Sequence, residues 1–289
     1  MEIERFEQFR PQLFGLAYRM LGTAADAEDV IQEAFLRVQT RTLEPIEAPR
    51  PYLTTVVTRL CLNQLTAARR RREQYLDPWL PEPIPTAAGR NDPMDHALRL
   101  DTLSIAFLVL LEALSPAERA VFLLHEVFDY RYGEIAEMLE KSEAACRQLN
   151  RRARQHVLTN RPRFDATPES HRRLLEGFIQ AADSGDLEDF LQMLAEDVIL
   201  VPDGGGTRGA AVRVLHGREK VASFIHGARR VADQALHFEI VSLNGQDAIL
   251  SRTATGHPFF AVFLHGTATQ ADRIYVIAGK KLAGLGDSA

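Results

Sequence analysis

Residues 114–157, LSPAERAVFLLHEVFDYRYGEIAEMLEKSEAACRQLNRRARQHV, decide how the chain is read. Ser115 suits an N-cap, Pro116 the first helical position, and Glu118 falls at the third position of a capping box. An apolar stripe of Ala120, Val121, Leu124, Val127 and Phe128 follows at helical spacing. After a corner at Phe128–Arg131, a short helix from Gly133 to Leu139 carries Ile135, Ala136 and Leu139 on one face. Glu140-Lys141-Ser142 turns the chain into a further helix whose inner face holds Cys146, Leu149, Ala153 and Val157. Helix, three-residue turn and second helix make a helix-turn-helix. The outer face of its second helix presents Arg147, Gln148, Arg151, Arg152, Arg154 and Gln155, with Glu143 as the only acid. A merely solvated face mixes both signs. Arginine and glutamine make paired hydrogen bonds to base edges, and arginine also grips phosphates, so this face predicts DNA recognition.

Working outward, 289 residues exceed one small module, and 46% hydrophobic with 25% charged residues describe a chain that buries real cores. The net charge of −5 and pI near 6.0 sit oddly with a polyanionic partner. Basic residues nevertheless cluster at 69–72 and 147–163, and the local field governs contact. Cys61 and Cys146, both at apolar helical positions, read as buried thiols rather than a disulfide or metal site. No signal pattern or membrane-length apolar run appears, which predicts a cytoplasmic protein with no membrane partner.

Upstream, residues 3–21 read as a helix and Gly22-Thr23 breaks it. A second helix, 24–39, turns Ala27, Val30, Ile31, Ala34, Phe35 and Val38 inward and offers Asp26, Glu28, Asp29, Gln32 and Glu33 outward. That acidic face is either simply solvated or a protein-docking surface. A proline-restricted loop, 40–51, leads to a helix starting at Tyr52, with Leu53, Val56, Val57, Leu60, Cys61 and Leu65 on one side. It runs out into Arg69, Arg70, Arg71 and Arg72, which favour a helix dipole or a nucleic-acid backbone. Prolines 78, 81, 83, 85 and 93 deny regular structure to the segment 77–93. Trp79, the only tryptophan, packs either against its own neighbouring domain or into a docking site. After residue 166 come helices 169–184 and 186–194, a strand 197–201, a helix 217–230, and strand-like runs at 236–243, 247–253, 259–265 and 273–278. Helices followed by a curved antiparallel sheet give an α+β class.

Taken in this order, the motifs resemble an extracytoplasmic-function RNA polymerase sigma factor with a SnoaL-like C-terminal extension. The run Asp26 to Val38 (DAEDVIQEAFLRV) is similar to the family's polymerase-docking helix, residues 50–72 to its minus-10 reading helix, and residues 114–158 to its minus-35 domain. The resemblance implies a multidomain fold: two all-α sigma domains, the second a helix-turn-helix, followed by an α+β SnoaL-like cone. Their bounds are 1–75 for sigma region 2, 76–96 for the Pro-rich linker, 97–163 for sigma region 4 and 167–289 for the cone. It further implies no covalent chemistry and no cofactor. Asp29, Gln32, Glu33 and Phe35 would dock on the clamp of the core RNA polymerase largest subunit. Arg147, Gln148 and Arg151 would read promoter DNA at minus 35, with Arg152 and Arg154 nearer phosphates. Arg59 and Asn63 would be the candidates for minus-10 base contact and Arg69 to Arg72 those for phosphates. The family often has Arg-Asn where this chain has Thr58-Arg59.

The subgroup with this extension implies a regulator built into the chain through Trp79, Leu80 and Pro81, through Asp203, Gly204, Gly205 and Gly206, and through a closing Asn-Pro-Asp-Lys-Leu motif. Here Ala278-Gly279-Lys280-Lys281-Leu282 occupies that place and keeps Lys281 and Leu282. Two other functions stay open. One is a ligand-sensing helix-turn-helix regulator, with a small-molecule ligand held in the cone. The other is a cone enzyme using Asp203 and His216 as an acid–base pair. No nucleophile–base set or metal-ligand spacing stands out, and Gly204-Gly205-Gly206 lacks the lysine of a phosphate loop.

Overall fold

The computed structural model describes residues 6–40, 47–72, 79–86, 103–160, 167–203, 213–231 and 236–286. The chain divides into two compact units, 1–76 with 89–161, and 77–88 with 162–289. No described helix is long and apolar enough to cross a membrane.

Unit one begins with three mutually packed helices, α1 (Arg10–Leu21), α2 (Ala24–Thr40) and α3 (Pro49–Arg72). Gly22 stops α1 in the left-handed region at φ 80° and returns its N–H to Tyr18. The Thr23 hydroxyl then accepts from the Asp26 N–H at 3.2 Å to start α2. Leu16, Ala17 and Met20 of α1, Ala27, Ile31 and Ala34 of α2, and Leu53, Val57 and Cys61 of α3 are buried together. Helix α3 starts at Pro49 rather than Tyr52, which corrects the expected loop. Both prolines fall in the first turn, where a missing N–H breaks no intrahelical bond.

The second half of unit one holds α4 (Ile105–Glu112), α5 (Pro116–Phe122), α6 (Tyr132–Leu139) and α7 (Glu143–Asn160). The expected capping box is present. The Ser115 hydroxyl accepts from the Glu118 N–H, and the Glu118 carboxylate accepts from the Ser115 N–H at 3.1 Å. Helix α5 runs into a π-helical turn, Leu123–Val127, that the apolar spacing does not reveal. Left-handed residues Asp129 (φ 59°) and Glu140 (φ 54°) form the two corners. On α7 the buried stripe is Cys146, Asn150, Ala153 and Val157. Leu149 is only half-buried, because the i, i+4, i+7, i+11 progression places Asn150 on the core side.

Unit two carries α8 (Pro168–Ser184), α9 (Leu187–Met193), α10 (Arg218–Val231) and one six-stranded sheet. The strands are β1 (Leu194–Asp203), β2 (Leu215–His216), β3 (His237–Leu243), β4 (Gln246–Arg252), β5 (Pro258–Gly266) and β6 (Ala271–Ala278), in the order β2-β1-β6-β5-β4-β3. Thr167 caps α8 and Asp186 caps α9. Leu174, Leu175, Phe178, Phe190, Val221 and Ala222 close over Leu200, Ile249, Val262, Leu264 and Ile274. The antiparallel expectation holds from β3 to β6 and fails at β1, which lies parallel to β6. Alternation within a strand sets which residues face the core, not which strand lies alongside. Only tightly connected neighbours are bound to run antiparallel.

A buried histidine gives the cone a pH signature. Burial, reinforced by nearby His171, lowers the His265 pKa to about 3. Between that value and the ordinary histidine value near 6.5, the unfolded chain binds a proton that the folded cone does not, so stability falls as pH drops through this window. Thermal melts should fall from pH 7 to pH 4, and His265→Leu should flatten that slope. An unchanged slope in the variant would remove His265 as its cause.

Candidate nucleic-acid interface

On α7, Arg147, Gln148, Arg151, Arg152, Arg154 and Gln155 are all exposed, as expected. Successive side chains advance by roughly 100° around a helix. Gln148, Arg151 and Gln155 therefore point away from the Cys146–Asn150–Ala153–Val157 stripe, with Arg147 and Arg154 on its flank. One acid on α7 itself and two from neighbouring elements meet these arginines. Arg147 meets Glu143 at 2.5 Å, Arg152 meets Glu118 at 3.2 Å, and Arg154 meets Glu126 at 3.8 Å. Each arginine is more than half exposed, so each pair is worth ~0–1 kcal/mol and is readily exchanged for phosphate. Cys146 and Cys61 are both buried, free and raised in pKa by that burial, which makes them structural thiols.

The minus-10 candidates sit differently. Arg59 is half-exposed, yet its Nε donates to the Met138 carbonyl at 2.9 Å and its Nη2 pairs with Glu140 at 2.9 Å. Both partners lie at the end of α6, so the helix-turn-helix rests on α3. Further contacts reinforce the seam. Thr54 and Tyr130 share a hydroxyl hydrogen bond at 2.8 Å. Arg119 donates to the Met20 carbonyl at 2.6 Å and pairs with Glu112 at 2.8 Å. The Arg50 guanidinium lies 5.5 Å from the Tyr130 ring centroid. Nothing in the apolar pattern announces Arg119 or Tyr130, because a contact between distant segments has no local period. Asn63 is exposed one turn beyond Arg59. Arg69 to Arg72 close α3, and their side chains lie outside the described residues.

On α2, Asp29, Gln32 and Glu33 are exposed, with Glu33 pairing to Arg37 at 2.5 Å. Phe35 is half-buried, edge-on to Phe6 at 5.0 Å. Asp26 is turned to internal use, which corrects its expected outward role. One oxygen accepts from Thr23 at 2.6 Å and the other from Gln64 of α3 at 2.8 Å. Sequence reading also passes over Leu36, which leaves 52% of its surface in water beside exposed Gln32 and Glu33.

In unit two the proline-rich segment is fastened to the cone. Leu80 is fully buried, and its N–H donates to Asp203 Oδ2 at 2.8 Å. The same oxygen accepts from Lys281 Nζ at 2.6 Å. Lys281 also donates to the Leu80 carbonyl and lies 4.6 Å from the Trp79 ring centroid. Pro81 and Leu282 are buried beside them. Downstream, the Ile84 carbonyl accepts from the Asn244 N–H, the Asn244 side chain accepts from the Ile84 N–H, and Pro85 bridges Leu243. Asn244 and Gly245 are left-handed (φ 52° and 73°), the turn that an Asn-Gly pair signals. Trp79 thus packs on its neighbouring domain. The Asp203–His216 pair does not form, since His216 stands opposite Ile199 on β1 while Asp203 is held by Lys281. Gly204, Gly205 and Gly206 lie outside the described residues.

Comparison with known proteins agrees with this anatomy. Residues 5–71 match the family model for Sigma-70 region 2, residues 104–157 that for Sigma-70 region 4, and residues 175–279 that for the SnoaL-like domain. The chain is 40% identical over 228 residues to the ECF RNA polymerase sigma factor SigJ of Mycobacterium tuberculosis, covering 78% of this chain and 73% of that one. It is 29% identical over 306 residues to the ECF RNA polymerase sigma factor SigG of the same species, covering 94% and 79%. The crystal structure of the M. tuberculosis extracytoplasmic function sigma factor SigJ aligns with a TM-score of 0.72 at 32% identity, over 98% of this chain and 99% of that one.

Proposed function

The chain belongs to the extracytoplasmic-function sigma factors, which direct RNA polymerase to promoters, and from that premise we propose how its parts divide the work in the cytoplasm. Helix α2 docks on the clamp of the core enzyme's largest subunit through Asp29, Gln32 and Glu33. Phe35 steadies the helix and exposed Leu36 supplies an apolar contact. Helix α7 reads the minus-35 element in the major groove through Arg147, Gln148 and Arg151, with Arg152 and Arg154 on phosphates. Helix α3 and the loop before it hold an extruded base of the minus-10 strand, with Arg59 and Asn63 at the base and Arg69 to Arg72 on the backbone.

The observation that carries this reading is the seam between α3 and α6. Two elements centred near minus 10 and minus 35 lie about 25 base pairs apart, or ~85 Å of duplex. Unit one, compact and about 150 residues long, has a radius of gyration of roughly 15 Å. It cannot span both sites while Arg59 remains on Met138 and Glu140. The described arrangement is therefore a resting form, and promoter engagement separates α3 from the helix-turn-helix.

The cone modulates that step in cis. Its hold on Trp79 and Leu80 through Asp203, Lys281 and Leu282 fixes one end of the tether joining the two sigma modules. A small molecule inside the cone has no comparable support among the described residues. Run-off transcription with purified core polymerase on a genomic DNA library tests the whole reading. Discrete start sites are expected, and their absence would overturn it. A double change on α2, Gln32→Ala with Glu33→Ala, should weaken core-polymerase capture at least tenfold and spare the melting temperature. Unchanged capture would move the docking surface elsewhere.

A further inference from the structure

We propose that Tyr132 is a positioning residue for promoter readout, holding the Arg147 guanidinium so that one base pair of the minus-35 element is read. The proposal rests on the reading of α7 given above. It is carried by a stack that the helix-turn-helix builds beside its groove-facing helix. The Arg147 guanidinium carbon lies 5.5 Å from the centre of the Tyr132 ring. On that ring also packs His125, its centroid 4.1 Å away and its plane tilted by 29°. Arg147 is thereby restrained twice, by the ring and by Glu143 one turn back at 2.5 Å, while 58% of its side chain stays in water.

Tyr132 is itself pinned. Its hydroxyl accepts from the Asn150 amide at 2.9 Å, and the same amide nitrogen donates to Glu126 at 2.7 Å. Asn150 is 1% exposed, in the stripe that α7 turns to the core. His125 Nδ1 is tied to the Tyr130 carbonyl at 2.9 Å. The π-helical turn Leu123–Val127 explains how these groups meet. It contains both His125 and Glu126, and the extra residue in that turn re-aims the side chains that follow. His125, Arg131, Tyr132 and Arg147 then line an open cleft of about 540 Å³ beside α7.

The stack matters because an exposed arginine samples many rotamers, and reading a guanine edge requires one planar fork held in one place. A ring beneath the guanidinium restricts that search before DNA arrives. Loss of the ring leaves the charge, so attraction to phosphate survives while discrimination between bases declines.

The test uses the full chain with core polymerase on promoters randomised across the minus-35 element. Arg147→Ala should erase preference at one base pair. Tyr132→Leu should weaken preference at that same pair by roughly tenfold, and Tyr132→Phe, which keeps the ring, should largely retain it. If Tyr132→Leu does not fold, His125→Ala, which removes the ring packed on Tyr132, should shift the same preference in the same direction. Should Arg147→Ala leave every base preference intact, the assignment of Arg147 falls and the proposal with it. If Arg147→Ala erases a preference, two results overturn the role of Tyr132 and leave Arg147 standing: Tyr132→Leu lowering output uniformly across the library, or Tyr132→Phe matching Tyr132→Leu.

Discussion

Asp203→Ala is expected to lower the melting temperature of unit two by roughly 10 °C and to open the segment around Trp79 to proteolysis. The side chains of Asp203 and Lys281 are 9% and 18% exposed. Removing one partner of such a pair strands the other charge, at a cost of about 3–5 kcal/mol. The Leu80 N–H loses its acceptor in the same change. At ~3 °C per kcal/mol for a domain of this size, the shift follows. Asp203→Asn keeps an acceptor for Leu80 and should cost less. Combining Asp203→Ala with Lys281→Met should cost less than the two single changes summed, because the pair acts as one unit. A shift below about 2 °C for Asp203→Ala would mean that the tether is held by apolar burial of Leu80 and Leu282 alone. The same variant should alter transcript levels across a promoter panel, and unchanged levels would separate the fastening from regulation.

The second large effect is expected at Arg119. This arginine is 4% exposed and joins the two halves of unit one, donating to the Met20 carbonyl while pairing with Glu112. Arg119→Ala leaves a buried carbonyl and a half-buried carboxylate with fewer partners, again about 3 kcal/mol or more. The exposed Arg59–Glu140 pair is worth ~1 kcal/mol at most, and the Thr54–Tyr130 hydroxyl bond about 1 kcal/mol. Arg119 therefore dominates the polar part of the seam. Its loss should raise the fraction of open molecules, and apparent affinity scales with that fraction. Binding of a single-stranded minus-10 oligonucleotide by the free protein, followed by fluorescence anisotropy, should tighten roughly tenfold. Equal affinity for Arg119→Ala and the parent chain would mean that the seam does not restrain α3.

Much of this anatomy was legible in residue order alone. The Ser115–Glu118 box, the three-residue turn at Glu140 and the arginine face of α7 are local devices, each spelled out within one or two helical turns. The strand runs of the cone were also readable, to within a few residues. What escaped was non-local. No periodicity predicts that β1 would lie beside β6, that Arg119 would reach back to Met20, or that Asn150 would occupy a core position otherwise assigned to Leu149. The π-helical turn inserts a residue without changing composition, so it too left no trace. Lys281 shows the limit from the other side. Two residues retained from a five-residue motif marked the right place, but only geometry brings Asp203, Leu80 and Trp79 around that ammonium group.

Unit one is proposed to rest closed and to open when it meets a promoter. Spin labels at Thr66→Cys on α3 and Gln155→Cys on α7 would report it most directly, since both sites are exposed while Cys61 and Cys146 are buried. The free protein should give a distance below ~40 Å. The complex with core polymerase and promoter DNA should give one above ~60 Å, set by the spacing of the two elements on the duplex. A transcribing complex whose label distance matches that of the free protein would contradict the account.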